Sequence, residues 1–266
     1  MNAAVLAIAS LSCFFVSYFF YSKFLADKIF KLDSNIVTPA HEFEDGIDYV
    51  PTNKHVLFGH HFTSVAGAAP IVGPAIAVIW GWLPAVLWVV FGTIFIGAVH
   101  DFGCLVLSAK NKGHSIGDLT GIIIGKRARA LFLTIIFFLT WIVIAVFAYI
   151  IATLFSQFPT TVLPVNIEII VAVVIGVVIY RAKYGILIPS IIALLVLYGF
   201  IYLGMYVPMS LPSFIGGQIE SWVVLLVVYA FIASVLPVWI LLQPRDFINS
   251  HQLFVGLGIM YLGLFI

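Results

Sequence analysis

Charge is the scarcest property of this sequence. Of its 266 residues only 9% are Asp, Glu, Lys or Arg, whereas a soluble domain carries about 25%. That shortage excludes an ordinary soluble fold. Cysteine is nearly missing as well. Cys13 and Cys104 both lie in apolar runs, and no disulfide framework or CxxC site is visible. The formal net charge is +1 and no basic tract is interleaved with aromatics, so no nucleic-acid partner is expected. No Lys or Arg precedes Ser10-Leu11-Ser12-Cys13, so the first apolar run reads as a retained span, not a signal peptide.

What is present is apolar surface. The chain is 63% apolar, with a mean hydropathy of +1.19. Repeated apolar runs longer than about 18 residues favour helices over a barrel, whose strands are short and alternating. The expected fold is all-α, a polytopic transmembrane helical bundle forming a single transmembrane domain over 1–266. Eight candidate spans follow: 2–21, 56–82, 84–108, 130–154, 165–180, 186–206, 222–242 and 251–266. A polar loop over 22–55 separates the first two. The last run ends with the chain and is a little short of the ~30 Å hydrocarbon core. It reads as a helix cut by the end of the sequence.

The basic residues predict an orientation. Lys23, Lys28, Lys31 and Lys54 fall between spans one and two. Lys110, Lys112, Lys126, Arg127 and Arg129 fall between three and four. Arg181 and Lys183 fall between five and six, and Arg245 between seven and eight. These are all twelve Lys and Arg of the chain. They share one side if every span crosses once, and the positive-inside rule makes that side cytoplasmic. The N-terminus is then outside, and 22–55 is a cytoplasmic loop whose acids need only solvation. Trp80, Trp82 and Trp222 fit an outer aromatic belt.

The second span cannot be a clean helix. HHFTSVAGAAPIVGPA, residues 60–75, carries Gly67, Pro70, Gly73 and Pro74. Proline interior to a helix removes a hydrogen bond and clashes with the preceding turn. The expectation is a half-helix to about Ala66, an unwound linker near 67–73, and a second half-helix from Pro74. Backbone left open at membrane depth is tolerated only against protein or a wet cavity. Helix ends meeting there can hold an anion on N–H groups and a cation on carbonyls, with the anion expected near residues 71–75. The plain alternative is a proline kink packed by small residues.

The candidate substrate site is therefore Gly59, His60, His61, Thr63, Ser64, Gly67, Pro70, Gly73 and Pro74. Adjacent helical residues point about 100° apart, so His60 and His61 cannot share a metal side by side, and no metal or other cofactor is expected. They read either as interfacial histidines or as a proton or substrate site. His100 and Asp101 sit inside the third span, where an ionisable pair suggests proton coupling or a structural anchor. Gln243, Arg245 and Asp246 are placed at the inner surface, at the end of span seven. Arg245 is expected to pair with Asp246 or Asp101, as an anchor or a gate. GHSIGDLTG, 113–121, reads as polar capping of a short helix, with a dip into the membrane as the alternative.

Four stretches together resemble the carbon starvation protein A family: DGIDYVPTNKHVLFGHHFTSVAGAAPIVGPAIA (45–77), GAVHDFG (97–103), GHSIGDLT (113–120) and LPVWILLQPRDF (236–247). The resemblance implies an inner-membrane uptake transporter for peptides or, in some members, pyruvate brought in with protons during nutrient limitation. It implies the amino acid–polyamine–organocation architecture, whose first core helix is unwound at the substrate. It also supports the site region around Gly59–Pro74, the neighbourhood of Asp101, and Gln243–Asp246. Many members carry glutamine where this chain has His100. Members also run longer, so this chain reads as the N-terminal part. A proton-coupled symporter is the reading reached. The rivals are a channel, a redox or metal protein, and a fragment that transports nothing. The sequence does not give the oligomeric state.

Overall fold

The structure is a computed structural model that describes residues 3–180 and 187–265. Arg181 and Lys183, and the ends of spans expected at Asn2, Ile186 and Ile266, lie outside the described residues. Among the described residues all regular structure is helical. The helices are α1 (Ala3–Ile29), α2 (Pro39–Glu42), α3 (Lys54–Val65), α4 (Ala68–Ala77), α5 (Trp82–Lys110) and α6 (Ile116–Ile123). Then follow α7 (Lys126–Gln157), α8 (Val162–Tyr180), α9 (Leu187–Gly204), α10 (Gln218–Ser234) and α11 (Leu242–Gly263).

Five stretches are long and apolar enough to cross a membrane: Ala3–Ile29, Lys54–Trp80, Trp82–Lys110, Lys126–Gln157 and Pro159–Val178. The protein is a multi-pass helical membrane protein. Its exterior is apolar: Phe137, Trp141 and Ile142 of α7 are all more than half exposed. Such side chains are at home against lipid, which is as apolar as leucine.

Three helix bounds differ from the sequence reading. First, α1 continues to Ile29, so the polar loop expected from residue 22 begins later. Leu25 is buried there, and the last turns widen, with the Phe30 N–H bonding Leu25 O at 2.8 Å. Second, span seven stops at Ser234, and α11 starts anew at Leu242. Third, the interruption of the second span is confined to Ala66 and Gly67, and α4 resumes at Ala68.

Proline placement explains the second and third differences. Pro70, Pro84, Pro164 and Pro244 each occupy the third position of the helix that contains them. First-turn N–H groups have no intrahelical partner, so proline loses nothing there. Pro70, not Pro74, therefore starts the new helix. Pro74 is carried inside α4, and Gly73 keeps a helical backbone without positive φ.

The chain divides into two compact units: residues 1–51, 68–135 and 259–266, and residues 52–67 and 136–258. In the first, α1 packs on α5 through Tyr21–Phe95 and Phe30–Phe102 edge contacts, with ring centroids 5.4 and 5.1 Å apart. Its polar loop is built. Asp45 accepts the backbone N–H groups of Ile47, Asp48 and Tyr49 at 2.8–2.9 Å, and the Tyr49 hydroxyl donates to Lys112 O at 2.8 Å. These bonds hold the Asp45 carboxyl below the usual aspartate range. Ser115 caps α6 by accepting the Asp118 N–H, and Asp118 pairs with Arg129 at 2.5 Å. The polar stretch at 113–121 is thus a capping motif, as its composition suggested.

In the second unit, small residues let helices close. Ala172, Ala193 and Ala233 lie in one core with Ile175, Leu197, Leu241 and Ile248. A second core joins Ala152, Phe155, Val162 and Trp222. Trp222 packs edge-on to Phe155 at 5.0 Å and is 5% exposed, so it does not belong to an aromatic belt.

Candidate functional site

The second unit brings α3 and α11 together around one carboxylate. Asn53 starts α3 by accepting the His55 N–H at 2.9 Å. Two turns later, Gly59 lies so near α11 that an added Cβ would stand 2.8 Å from both Phe247 Cδ2 and Ser250 Oγ. That close approach places His60 Nδ1 2.8 Å from Asp246 Oδ2. The Thr63 hydroxyl donates to Asp246 O at 2.8 Å. The Ser64 hydroxyl donates to His60 O at 2.8 Å and lies 3.5 Å from Asp246 Oδ2. On the other carboxylate oxygen, Arg245 donates from Nε at 3.2 Å and from Nη2 at 3.0 Å. Arg245 Nη1 reaches the Tyr229 hydroxyl at 3.5 Å.

Asp246 is 5% exposed. A buried carboxylate is stable only when paired and hydrogen-bonded, and this one has a guanidinium, an imidazole and hydroxyls around it. Since the carboxylate can only accept, His60 Nδ1 carries the hydrogen. The His60 Nε2 is then the free basic position when the ring is neutral.

The level of this cluster can be read along α8, whose 19 residues span about 28 Å. Gly176 of α8 lies beside the start of α11, where an added Cβ would stand 2.6 Å from Ile240 O and 3.1 Å from Pro244 Cγ. Further along, Asn249 lies beside Glu168 of α8. Along α8, Glu168 is about 9 Å and Gly176 about 21 Å from Val162. Arg245 and Asp246 lie between those levels, near the middle of the helix. α11 begins alongside the interior of α8, not past its end.

The structure thus joins Gly59, His60, Thr63 and Ser64 with Arg245 and Asp246. Gln243 is half-buried in the same first turn of α11, and His61 is exposed. Gly67 follows Ala66, the end of α3, with Phe147 3.5 Å from where its Cβ would be. Pro70, Gly73 and Pro74 belong to the other unit, where they line a cavity of about 750 Å³ with Trp80 and Trp88. The N–H groups of 72–75 are inside α4, so the anion cradle expected at 71–75 is not formed there. His100 and Asp101 also belong to the first unit. They bond each other at 3.1 Å, and their side chains are 73% and 44% exposed. Arg245 pairs with Asp246, not with Asp101.

One acid near this cluster escaped the sequence reading. Glu168 is half-buried in α8, beside Arg245, Asp246 and Asn249. A single acid within the apolar run of 162–180 was the available signal.

Over residues 2–266 the chain matches the family described as "Carbon starvation protein CstA". The chain belongs to the carbon starvation protein CstA family. Among its relatives is the "Peptide transporter CstA" of Campylobacter jejuni, 35% identical over 98% of this chain and 37% of that protein. The "Peptide transporter CstA" of Escherichia coli K12 is 37% identical over 94% of this chain and 36% of its own length. The "Pyruvate/proton symporter BtsT" of the same organism is 34% identical over 98% of this chain and 36% of its own length. The chain spans less than half the length of these curated relatives. No solved structure matches it.

Proposed function

We propose that this chain is part of a secondary active transporter that takes up a small carboxylate-bearing nutrient, a peptide or pyruvate, together with protons. The observation that carries the reading is the buried His60–Asp246–Arg245 cluster, held between helices α3 and α11. An intramembrane ionisable group that faces protein is a functional site by default. Relatives named as peptide transporters and as a pyruvate/proton symporter support the same reading.

On this reading, protonation of His60 couples the two. With His60 neutral, Asp246 is neutralised by Arg245 alone. A proton taken up at His60 Nε2 makes the ring a cation, and Asp246 is then shared between two positive groups. Arg245 is correspondingly freer to meet a substrate carboxylate. Proton and anion binding therefore favour each other, and by linkage the help is mutual. The breaks at 66–67 and 235–241 give α3 and α11 free ends that can move with occupancy. This is the unwound-helix logic of the amino acid–polyamine–organocation architecture. The side carrying the Lys and Arg residues is cytoplasmic on this reading, with the N-terminus outside, and the membrane is the inner one.

The test is uptake of labelled pyruvate and of a labelled dipeptide by the full-length protein in proteoliposomes. Saturable accumulation under an inside-alkaline gradient is expected. Equal uptake with and without the gradient removes proton coupling, and non-saturating flux indicates a channel.

A further inference from the structure

The corner between α6 and α7 is apolar and basic at once. The stretch 111–125 connects two helices long and apolar enough to cross a membrane, Trp82–Lys110 and Lys126–Gln157, so it sits at a membrane face. α6 folds back along the first turns of α7. A Cβ on Gly117 would stand 2.7 Å from Leu133 Cδ2, and one on Gly121 would stand 2.6 Å from Arg129 Cδ. The Asp118–Arg129 ion pair ties the two helices further. Gly125, at φ 134°, makes the turn between them, a backbone that residues with a Cβ rarely adopt. Ile122, Ile123 and Ile124 stand just before that turn and Lys126 and Arg127 just after it, so they share the tip of the helical hairpin.

The three isoleucines are 68–73% exposed. Of the basic residues between α5 and the start of α7, three have partners. Lys110 donates to Phe30 O, Lys112 lies 6.0 Å from the centre of the Phe43 ring, and Arg129 pairs with Asp118. Lys126 and Arg127 are exposed and have no hydrogen bond or ion pair among the described residues. They also stand at the less favourable end of a helix. The first turn of α7 carries no acid, and the positive end of the helix dipole disfavours cations there unless an anion is near. No acid occurs from Leu119 to Gln157, so this segment supplies no anion of its own. α7 is about 48 Å long against a hydrocarbon core of ~30 Å, and it is uncharged from Ala130 to Gln157. Its charged first turn is therefore the part that meets the headgroups.

We infer that this corner is an anchoring site for anionic phospholipid. Ile122, Ile123 and Ile124 enter the boundary between headgroups and acyl chains, and Lys126 and Arg127 hold headgroup phosphates. On the orientation proposed above, the leaflet is the cytoplasmic one. The inference needs only that α5 and α7 cross the membrane, so it stands apart from proton coupling.

The experiment is native mass spectrometry of the delipidated full-length protein, titrated with phosphatidylglycerol and with phosphatidylcholine of the same acyl chains. Wild type is expected to prefer phosphatidylglycerol, and K126Q/R127Q to lose that preference by roughly tenfold. K110Q/K112Q removes two charges from the same side and is expected to keep it. Equal loss in both double variants would mean a diffuse charge effect and overturns the inference, as does no loss in K126Q/R127Q or no preference in wild type. Release of the bound lipid by inorganic phosphate would mark a free-anion site and overturns it too. Depth is the second readout, from a spin label at Ile123→Cys in a C13S/C104S background in liposomes containing phosphatidylglycerol. The label is expected to be more accessible to oxygen than to a water-soluble nickel chelate. The opposite order places the tip in water and contradicts the anchor.

Discussion

At the scale of single residues, Gly59 and Gly73 separate backbone need from motif membership. Both glycines stand in the same family-like stretch. At Gly59 a Cβ would stand 2.8 Å from Phe247 and Ser250 and 3.2 Å from the Phe247 backbone. Overpacking of that kind costs roughly 1–3 kcal/mol. At Gly73 nothing lies within 4 Å, and the backbone is helical. Alanine there gains up to about 1 kcal/mol of helix propensity. Thermal unfolding of the purified full-length protein should therefore show G59A melting below wild type and G73A at or above it. The reverse order would mean that α3 and α11 do not meet at Gly59. The same scale shows why Glu168 was passed over. Its neighbours Arg245 and Asn249 are 77 and 81 residues away in sequence, and no local pattern announces them.

At the scale of elements, breaks were legible and their positions were not. The sequence places a gap between Gly67 and Gly73 because it counts both prolines as breakers. The structure starts α4 at Ala68 because a proline in the first turn is no breaker at all. The same rule moves the start of α11 back to Leu242, ahead of Pro244, and carries Arg245 and Asp246 into a helix instead of a surface loop. The polar loop after α1 was read as solvated acids. One of them, Asp45, is a structural acceptor for three backbone N–H groups. Its lowered pKa fixes the sign of a pH effect. The bonds favour the carboxylate form, so the stabilisation is present above the ordinary aspartate range and is lost as pH falls through the depressed folded value. Hydrogen exchange, corrected for intrinsic rates, should show Ile47, Asp48 and Tyr49 protected into mildly acidic solution. D45N should weaken that protection without a pH step. A wild-type loop that opens at the ordinary aspartate pKa would contradict this.

At the scale of the whole molecule, class and family followed from the sequence because hydropathy is additive along the chain and the motifs are long. The pairing of α3 with α11 did not, because their side chains meet across 186 positions, as His60 and Asp246 do. Two lists of candidates, one for substrate and one for protons, turned out to share a single buried carboxylate. His100 and Asp101 were drawn to attention by the same intramembrane-charge argument, yet they are exposed and bond only locally among the described contacts. The central claim is that Asp246, set between Arg245 and His60, couples protons to substrate. Its most direct measurement is proton entry into proteoliposomes holding an entrapped pH dye, on addition of pyruvate or dipeptide outside, for the full-length wild type and D246N. Substrate should acidify the lumen with wild type and leave it unchanged with D246N. Acidification by D246N at the wild-type rate would contradict the account.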